Sequence, residues 1–212
     1  MLVSEREDAT DVVLDSGDFI EHRTISGDVE ALAADDVEIV GSLFRAARLT
    51  GVDLSGVTFR DCRFENCELS GALLESARLV RVEFVDCRVS GAVMSDARLD
   101  DVRFVDSRCE GLLLRMSALK RCEFLRCDLT NAELYESGLH QVSLFDCDLT
   151  SVDFTRAKVD GLRLHGSVVA DLRGGTSLRG AVIDAGQIVP MGLVALDALG
   201  VVIDDDATSR EI

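Results

Sequence analysis

The sequence has 212 residues, of which 47% are hydrophobic and only one is proline. This composition excludes a disordered chain, and the apolar runs are too short to span a membrane. The formal net charge of −17 argues against direct binding to nucleic acid and favours a basic partner or simple solubility.

Residues 1–35 form a predicted acidic N-terminal segment that caps the first turn of the fold. Residues 1–40 contain twelve acidic and two basic side chains. We expect capping strands from about residue 19 and mobile chain before it, because the pattern there is irregular. The segment lacks a basic start followed by an apolar run, so no secretory signal is visible. Together with seven cysteines, an odd number, this predicts a reducing, cytoplasmic location.

From residue 36 the chain divides into consecutive blocks of five, such as GVDLS, NAELY, RCDLT and DCDLT. The second position is small or medium and apolar, the fourth is large and apolar, and the others are mostly polar. Residues five apart lie about 140° apart around an α-helix, so a helix would spread the apolar positions over its whole surface. A regular strand would turn one residue in two inward, not two in five. The pattern therefore predicts a short extended stretch and a turn, repeated, in units that must stack to bury their apolar side chains.

This pattern resembles the pentapeptide-repeat family, whose motif is a small residue, Asp or Asn, Leu or Phe, and two polar residues. The match covers roughly residues 36–173. The resemblance implies an all-β solenoid, a right-handed quadrilateral β-helix with four units in each coil. About seven coils, each rising about 4.8 Å, fit into residues 36–175, and we expect a C-terminal α-helical cap and tail in 176–212.

A second period of twenty, expected for four units in each coil, is present in the sequence. Large apolar residues recur along each side of the predicted rod, and small cysteines recur beside them. The predicted core ladder comprises Phe44, Phe64, Phe84, Phe104 and Phe124 on one side, Leu54, Leu74, Leu114 and Leu134 on the third side, and Cys67, Cys87, Cys127 and Cys147 at one small position.

The cysteines favour core packing over chemistry, because a metal site needs clustered ligands such as a C-x-x-C pair and none is present. Stacked neighbours such as Cys67 and Cys87 would approach disulfide distance, but a reducing location argues against a bond. His22, His140 and His165 are scattered, and the carboxylates lie on an outer surface without a deep cleft. We therefore expect no enzyme activity, no cofactor and no metal.

The last segment contains the signals of a helix. Asp184 with Gln187 three residues later predicts a capping box, Pro190 predicts a break or a first turn, and Gly200 predicts the helix end. The resemblance implies that such a helix closes the stack and pairs two rods end to end, which makes a homodimer the expectation. The candidate dimer residues, which with Val194 form one predicted apolar face, are Ile188, Leu193, Leu196 and Leu199.

The outer surface of the predicted rod is nearly neutral, and one side is basic. Residues 41–175 carry eighteen basic and twenty-one acidic groups. The basic side is either a solvated face with salt bridges or an anion-binding surface; its members are Arg60, Arg78, Arg81, Arg98, Lys120, Arg121 and Lys158. Two outward columns are apolar and are candidate interfaces, either covered by the N-terminal segment or open to a partner. One column is Val85, Val105, Leu125 and Phe145, and the other is Leu73, Val93 and Leu113.

Two functions follow as hypotheses. The resemblance implies a binding protein for DNA gyrase or topoisomerase IV, in some members a DNA mimic that confers antibiotic resistance by countering topoisomerase poisons. A duplex mimic should carry carboxylates along the rod, whereas here the excess acidity lies in the terminal segments. The alternative is a structural scaffold that binds an unrelated protein through the apolar columns.

Overall fold

The computed structural model describes residues 7–34 and 36–202. The strands begin with β1 (Glu7–Leu14), β2 (Phe19–Glu21), β3 (Arg23–Ala31), β4 (Glu38–Val40), β5 (Leu43–Arg48), β6 (Thr58–Arg60), β7 (Arg63–Glu65) and β8 (Arg78–Val80). They continue as β9 (Glu83–Val85), β10 (Arg98–Asp100), β11 (Arg103–Val105), β12 (Ala118–Lys120), β13 (Glu123–Leu125), β14 (Gly138–His140), β15 (Ser143–Phe145) and β16 (Lys158–Asp160). Two 3-10 helices, Gly175–Leu178 and Ala185–Gln187, precede α1 (Ile188–Ala198). Within the described ranges, no helix has the length and apolar character needed to cross a membrane.

The strands form two parallel sheets on two sides of a rod. The first sheet contains the odd-numbered strands from β1 to β15, and the second contains the even-numbered strands from β2 to β16. The remaining two sides are joined by single bridges, such as those from Val93 to Leu73 and Leu113. The chain is therefore an all-β solenoid, a right-handed four-sided β-helix, as predicted. It has about eight turns rather than seven, because residues 7–34 add to the stack.

The corners of the rod explain why the first position of most blocks is glycine or polar. From Gly41 to Asp171, the first residue of each block of five has a positive φ, between 48° and 77°. Asp and Asn reach this left-handed conformation more readily than other residues because their short side chains hydrogen-bond locally. Met116 adopts it as well, with φ 56°, so tertiary stacking overrides local preference at that corner.

The interior contains a continuous stack of phenylalanine rings, one from each of five successive coils. The rings of Phe44, Phe64, Phe84, Phe104 and Phe124 follow one another with centroids 4.3–4.7 Å apart and interplanar angles of 2–13°. Each offset-stacked pair contributes about 0.5–1.5 kcal/mol beyond the area that it buries. The predicted leucine column on the third side is buried too: Leu54, Leu74, Leu114 and Leu134.

The seven cysteines are buried thiols without a disulfide, six of them at small inward positions and Cys109 at a large one. Cys67 donates a hydrogen bond from Sγ to the carbonyl oxygen of Phe44 in the preceding coil, at 3.4 Å. Serine occupies the same column in other coils, where Ser107 Oγ donates to the Val105 carbonyl at 2.9 Å. The column therefore accommodates a small side chain, which in these coils carries a donor for a carbonyl oxygen. The remaining members of the predicted cysteine ladder are equally buried: Cys87, Cys127 and Cys147.

The N-terminal segment joins the end of the rod. Strand β1 pairs with β3, which pairs with β5, and strand β2 pairs with β4. Strand pairing thus begins at Glu7, well before the predicted start near residue 19; the prediction for residues 1–6 lies outside the described residues. Because residues 7–31 extend the rod along its axis, they do not lie over the apolar columns.

The C-terminal cap contains each predicted helix signal. The Asp184 side chain accepts from the Gly186 amide, and Gln187 Oε1 accepts from the Asp184 amide, which completes a capping box. Pro190 lies in the first turn of α1, where its missing amide hydrogen costs nothing. After α1, Gly200 has φ 72° and donates to the Asp197 carbonyl oxygen, so the helix ends as predicted.

Candidate interaction surface

The first candidate surface is the long apolar column, Val85, Val105, Leu125 and Phe145, on the outer face of the first sheet. These side chains follow in register through β9, β11, β13 and β15, one from each coil. Each is half-buried, because its neighbours in the column cover part of it. The structure therefore brings these four predicted residues together as a continuous apolar stripe.

The second candidate surface is the short apolar column, Leu73, Val93 and Leu113, on the side of the rod opposite the first sheet. Its residues are joined by single bridges and are half-buried. The same column continues with Asp53 at one end and Glu133 at the other. The stripe is thus three coils long and bounded by carboxylates.

Charged side chains form a ladder beside the long apolar column. Arg63 bridges Glu65 at 2.7 Å and also pairs with Glu83, while Arg103 Nη1 lies 3.2 Å from Glu83 Oε1. Arg45 extends the ladder from Glu65 at 3.3 Å. The hydrogen bond from Arg63 lowers the pKa of Glu65, which keeps that carboxylate ionised. Such exposed pairs contribute about 0–1 kcal/mol each, so the ladder fixes side-chain positions more than it stabilises the fold.

The corner on the other flank of the long apolar column is acidic. Asp86, Asp106 and Asp146 occupy it in successive or alternate coils, and Arg126 occupies the same column. Arg126 pairs with Asp106 at 2.6 Å. Within the described part of the chain, Asp86 and Asp146 make no ion pair. Arg126 still interacts with Asp146 at longer range, so this flank presents two carboxylates to solvent without a direct ion pair among the described residues.

The long apolar column ends in a shallow depression of about 320 Å³ lined by Leu125, Phe145, Asp146, Arg163, His165 and Gly166. The Arg163 guanidinium lies 5.5 Å from the centroid of the Phe145 ring, and the His165 ring meets the same ring edge-on at 5.9 Å. Our sequence reasoning missed this depression. The sequence does contain a signal for it, because His165 follows Phe145 by twenty residues and so occupies the same outward column in the next coil.

The basic side is partly a solvated face with salt bridges. Arg60 pairs with Glu38 at 3.3 Å, and Arg81 pairs with Asp61 at 2.5 Å. Arg121 is paired as well, with Asp100 and Asp101. No ion pair is found, among the residues that the structure describes, for Arg78, Arg98, Lys120 and Lys158.

Helix α1 divides the predicted apolar face into two. Val194 is buried against the last coil, with Met191 partly buried beside it. The four candidate dimer residues keep much of their surface exposed: Ile188, Leu193, Leu196 and Leu199 are 62%, 52%, 37% and 76% exposed. The split arises because residues 188, 196 and 199 lie on the far side of the helix from Val194. Leu193 lies on the flank of the helix, where it lines a groove with residues 169–173 of the last coil. An apolar surface is thus exposed at this end of the rod.

Side chains that could bind a metal ion or act as nucleophiles are dispersed over the described residues. Across residues 7–34 and 36–202, no group of three or more His, Cys, Asp or Glu side chains is placed to hold a metal ion. Burial raises the pKa of the Cys122 thiol to about 11, and the hydrogen bond to Cys127, together with burial, raises the pKa of Cys109. Both thiols are therefore protonated at neutral pH and unsuited to nucleophilic chemistry.

Comparison with known proteins shows that the chain is similar to pentapeptide-repeat proteins. A family model described as pentapeptide repeats (8 copies) matches residues 39–67, and one described as pentapeptide repeat region matches residues 57–114. A search of curated proteins finds no match. The chain is similar to the structure of HetL, a pentapeptide repeat protein involved in heterocyst differentiation regulation in the cyanobacterium Nostoc sp. strain PCC 7120. The identity is 16%, over 84% of this chain and 90% of HetL, with a TM-score of 0.41.

A trypsin-treated form of QnrB1, a plasmid-mediated fluoroquinolone resistance protein, is similar as well. The identity is 14%, over 94% of this chain and 100% of that one, with a TM-score of 0.43. The full-length QnrB1 structure shows 18% identity, over 92% of this chain and 100% of that one, with a TM-score of 0.32.

Proposed function

This chain belongs to the pentapeptide-repeat family, and from that premise we propose that it is a non-catalytic rod that acts by binding another protein. The observation that carries the proposal is the regular outer surface. Between residues 43 and 173 the coils follow one another every twenty residues without an inserted loop, and they leave flat faces for contact. A cytoplasmic location is part of the proposal, because all seven cysteines are free thiols.

The rod acts as a homodimer joined through α1. An isologous contact would bury the exposed residues of α1 against the same residues of a second copy. Ile188 and Leu199, near the two ends of α1, are both more than half exposed, so the apolar surface extends along the helix. Covering it would remove the largest exposed apolar side chains at this end of the rod from water.

The candidate partner is a type II topoisomerase, DNA gyrase or topoisomerase IV, which the rod would protect from poisons. This candidate is supported by the family resemblance and by the acidity of the N-terminal end. The rod itself offers little duplex mimicry, since Asp61, Asp101 and Asp106 are each paired with an arginine. Contact with the enzyme would therefore involve the ends of the dimer more than its faces.

A supercoiling assay tests the topoisomerase hypothesis. Purified gyrase is assayed with and without a quinolone, at micromolar concentrations of the rod. We expect partial recovery of supercoiling in the presence of the drug, or inhibition in its absence. If the rod neither inhibits nor protects gyrase and topoisomerase IV, this candidate partner is wrong, and the scaffold hypothesis, in which an unrelated protein binds an apolar column, takes its place.

A further inference from the structure

We propose that the long apolar column, Val85, Val105, Leu125 and Phe145, is a docking site for an amphipathic α-helix of a partner protein that carries lysine or arginine beside its apolar stripe. This inference rests on the proposed function of a protein-binding rod and specifies which face binds and what it binds. It does not depend on whether the partner is a topoisomerase.

The spacing of the column favours a helix over an extended peptide. Successive rings in the core are 4.3–4.7 Å apart, which is the rise from one coil to the next. From Val85 to Phe145 there are three such steps, about 14 Å in all. A helix places side chains at i, i+4, i+7 and i+11 over about 16 Å, whereas four same-side residues of a strand span about 20 Å. A helix laid along the column therefore matches the spacing of the four coils more closely than a strand does.

The charge beside the column specifies a basic partner. Five carboxylates flank it, against the three guanidinium groups of Arg103, Arg126 and Arg163; the carboxylates are Glu83, Asp86, Asp106, Glu123 and Asp146. Asp86 and Asp146 stand on one flank without an ion pair among the described residues. Lysine or arginine on that side of a docked helix would meet both carboxylates, since charge complementarity steers and orients association.

The depression at the end of the column supplies an anchor. Phe145 and Leu125 form its apolar wall, and Arg163 and His165 border it. A large apolar side chain at the end of the docked helix would fill this space, as anchor residues at interfaces do. The column thus combines a regular spacing, a charged flank and one pocket, all along the first sheet and its edge.

A second copy of this chain does not fit the site. Its only described α-helix, α1, has the sequence IVPMGLVALDA, which contains Asp197 and no basic residue. Against Asp86 and Asp146 such a helix would add repulsion instead of complementing the charge. The occupant is therefore a helix of another protein.

The test uses a labelled helical peptide of about 18 residues, with leucines at i, i+4, i+7 and i+11 and lysines on their flanks. Binding is measured by fluorescence anisotropy at physiological salt. We expect binding in the micromolar range to the full chain. The same peptide with glutamate in place of lysine should bind at least about tenfold more weakly, a difference of about 1.4 kcal/mol.

Matched variants separate the column from the overall negative charge. Val105→Lys and Val93→Lys change the net charge equally, at half-buried valines on opposite sides of the rod. We expect Val105→Lys to weaken binding about tenfold or more and Val93→Lys to leave it within about twofold. Thermal unfolding of both variants shows that each is folded. Equal affinities of the two variants, or equal binding of the lysine and glutamate peptides, would overturn the proposal.

Two double variants test the charged flank without changing the packing of the rod. Asp86→Asn with Asp146→Asn removes the two unpaired carboxylates of the flank, and asparagine accepts their positive φ of 53°. Asp96→Asn with Asp171→Asn removes the same charge at corners away from the column. We expect only the first pair to lose affinity, by about threefold to tenfold. If sedimentation instead shows that Val105→Lys dissociates a self-associated wild type, the occupant is a second copy and the proposal is wrong.

Discussion

The ring of Phe104 lies parallel to that of Phe124, at an interplanar angle of 2° and with centroids 4.6 Å apart. Both rings are buried in the interior of the rod. A side chain held between two rings has little room to relax, so the stack makes the core sensitive to a single deletion.

We predict that Phe104→Ala destabilises the rod by about 3–5 kcal/mol, because it removes two ring contacts and leaves a cavity that the stacked coils cannot close. Phe104→Leu should cost less, because leucine fills more of the space than alanine. The free energy of unfolding is measured by denaturant titration. Phe19→Ala is the control, since Phe19 is exposed and its loss should change stability by about 0.5 kcal/mol or less. A similar loss for both alanine variants would show that the stack is not formed in solution.

The core could be predicted from the sequence because each inward position recurs every twenty residues. Phe44 and Phe64 reveal their contact by spacing alone, since four units of five close one coil. The same rule places Val85 beside Val105 on the outside. Sequence periodicity therefore determines which residues are neighbours wherever the coils are regular.

The ends could not be predicted in the same detail, because their spacing departs from twenty. Glu7 stands beside Arg23, sixteen residues on, and Phe19 stands beside Glu38, nineteen residues on. A shorter turn interrupts the period of twenty residues, and the acidic side chains of β1 make its apolar pattern difficult to recognise in the sequence. At the other end, the capping box at Asp184 depends on residues close in sequence and could therefore be predicted. Which face of α1 is buried, and hence the burial of Val194, depends on packing against the last coil.

The exposed side of α1 predicts the oligomeric state. We expect the wild-type chain to sediment as a dimer, at twice its mass of 23.0 kDa. Leu193→Glu with Leu196→Glu should give a monomer, because two charges would have to be buried without partners at the interface. Analytical ultracentrifugation over a range of concentrations measures the change.

The control for this prediction places the same two charges at the opposite end of the rod. Val13 and Leu32 are both more than half exposed, at the end formed by β1 and β3. Val13→Glu with Leu32→Glu should leave the dimer intact. A wild type that is monomeric at all concentrations would contradict the predicted dimer. Dissociation of the dimer by the control pair would indicate that the interface lies at the N-terminal end.

The C-terminal cap should weaken in acid. The Gly166 and Gly186 amides donate to the Asp184 carboxylate at 2.6 and 2.8 Å, and these hydrogen bonds lower the pKa of Asp184. Because its pKa is lower in the folded state, the carboxylate stabilises the cap above the ordinary carboxyl pKa of about 4 and loses that effect as the pH falls below it. We expect amide exchange in α1 to accelerate as the pH falls through that range, after correction for intrinsic rates.

Asp184→Asn should remove this pH dependence and raise exchange in α1 at neutral pH. Asp197→Asn is the matched control, because it removes one charge from α1 without altering the capping box. We expect its pH profile to follow that of the wild type. An unchanged profile in Asp184→Asn would show that another group controls the acid response.

Because all seven thiols are buried, they should be inaccessible to reagents in the folded chain, and the thiol of Cys122 should make the chain sensitive to alkali. Burial raises the pKa of Cys122 to about 11, so its thiol is protonated at neutral pH. An unfolded cysteine ionises near pH 8.5, and stability should therefore be complete below that pH and fall as the pH rises toward 11. We expect Ellman's reagent to label none of the seven thiols rapidly at pH 7.5 and all seven in guanidinium chloride.

Cys122→Ser tests the alkaline part of this prediction. Serine occupies an equivalent small position at Ser107, where its hydroxyl finds a carbonyl partner, so the variant should fold. It removes the titrating group, and we expect its melting temperature to fall less between pH 8 and 10 than that of the wild type. Rapid labelling of Cys122 in the folded wild type, or an identical alkaline loss of stability in the variant, would contradict the assignment of this loss to the buried thiol.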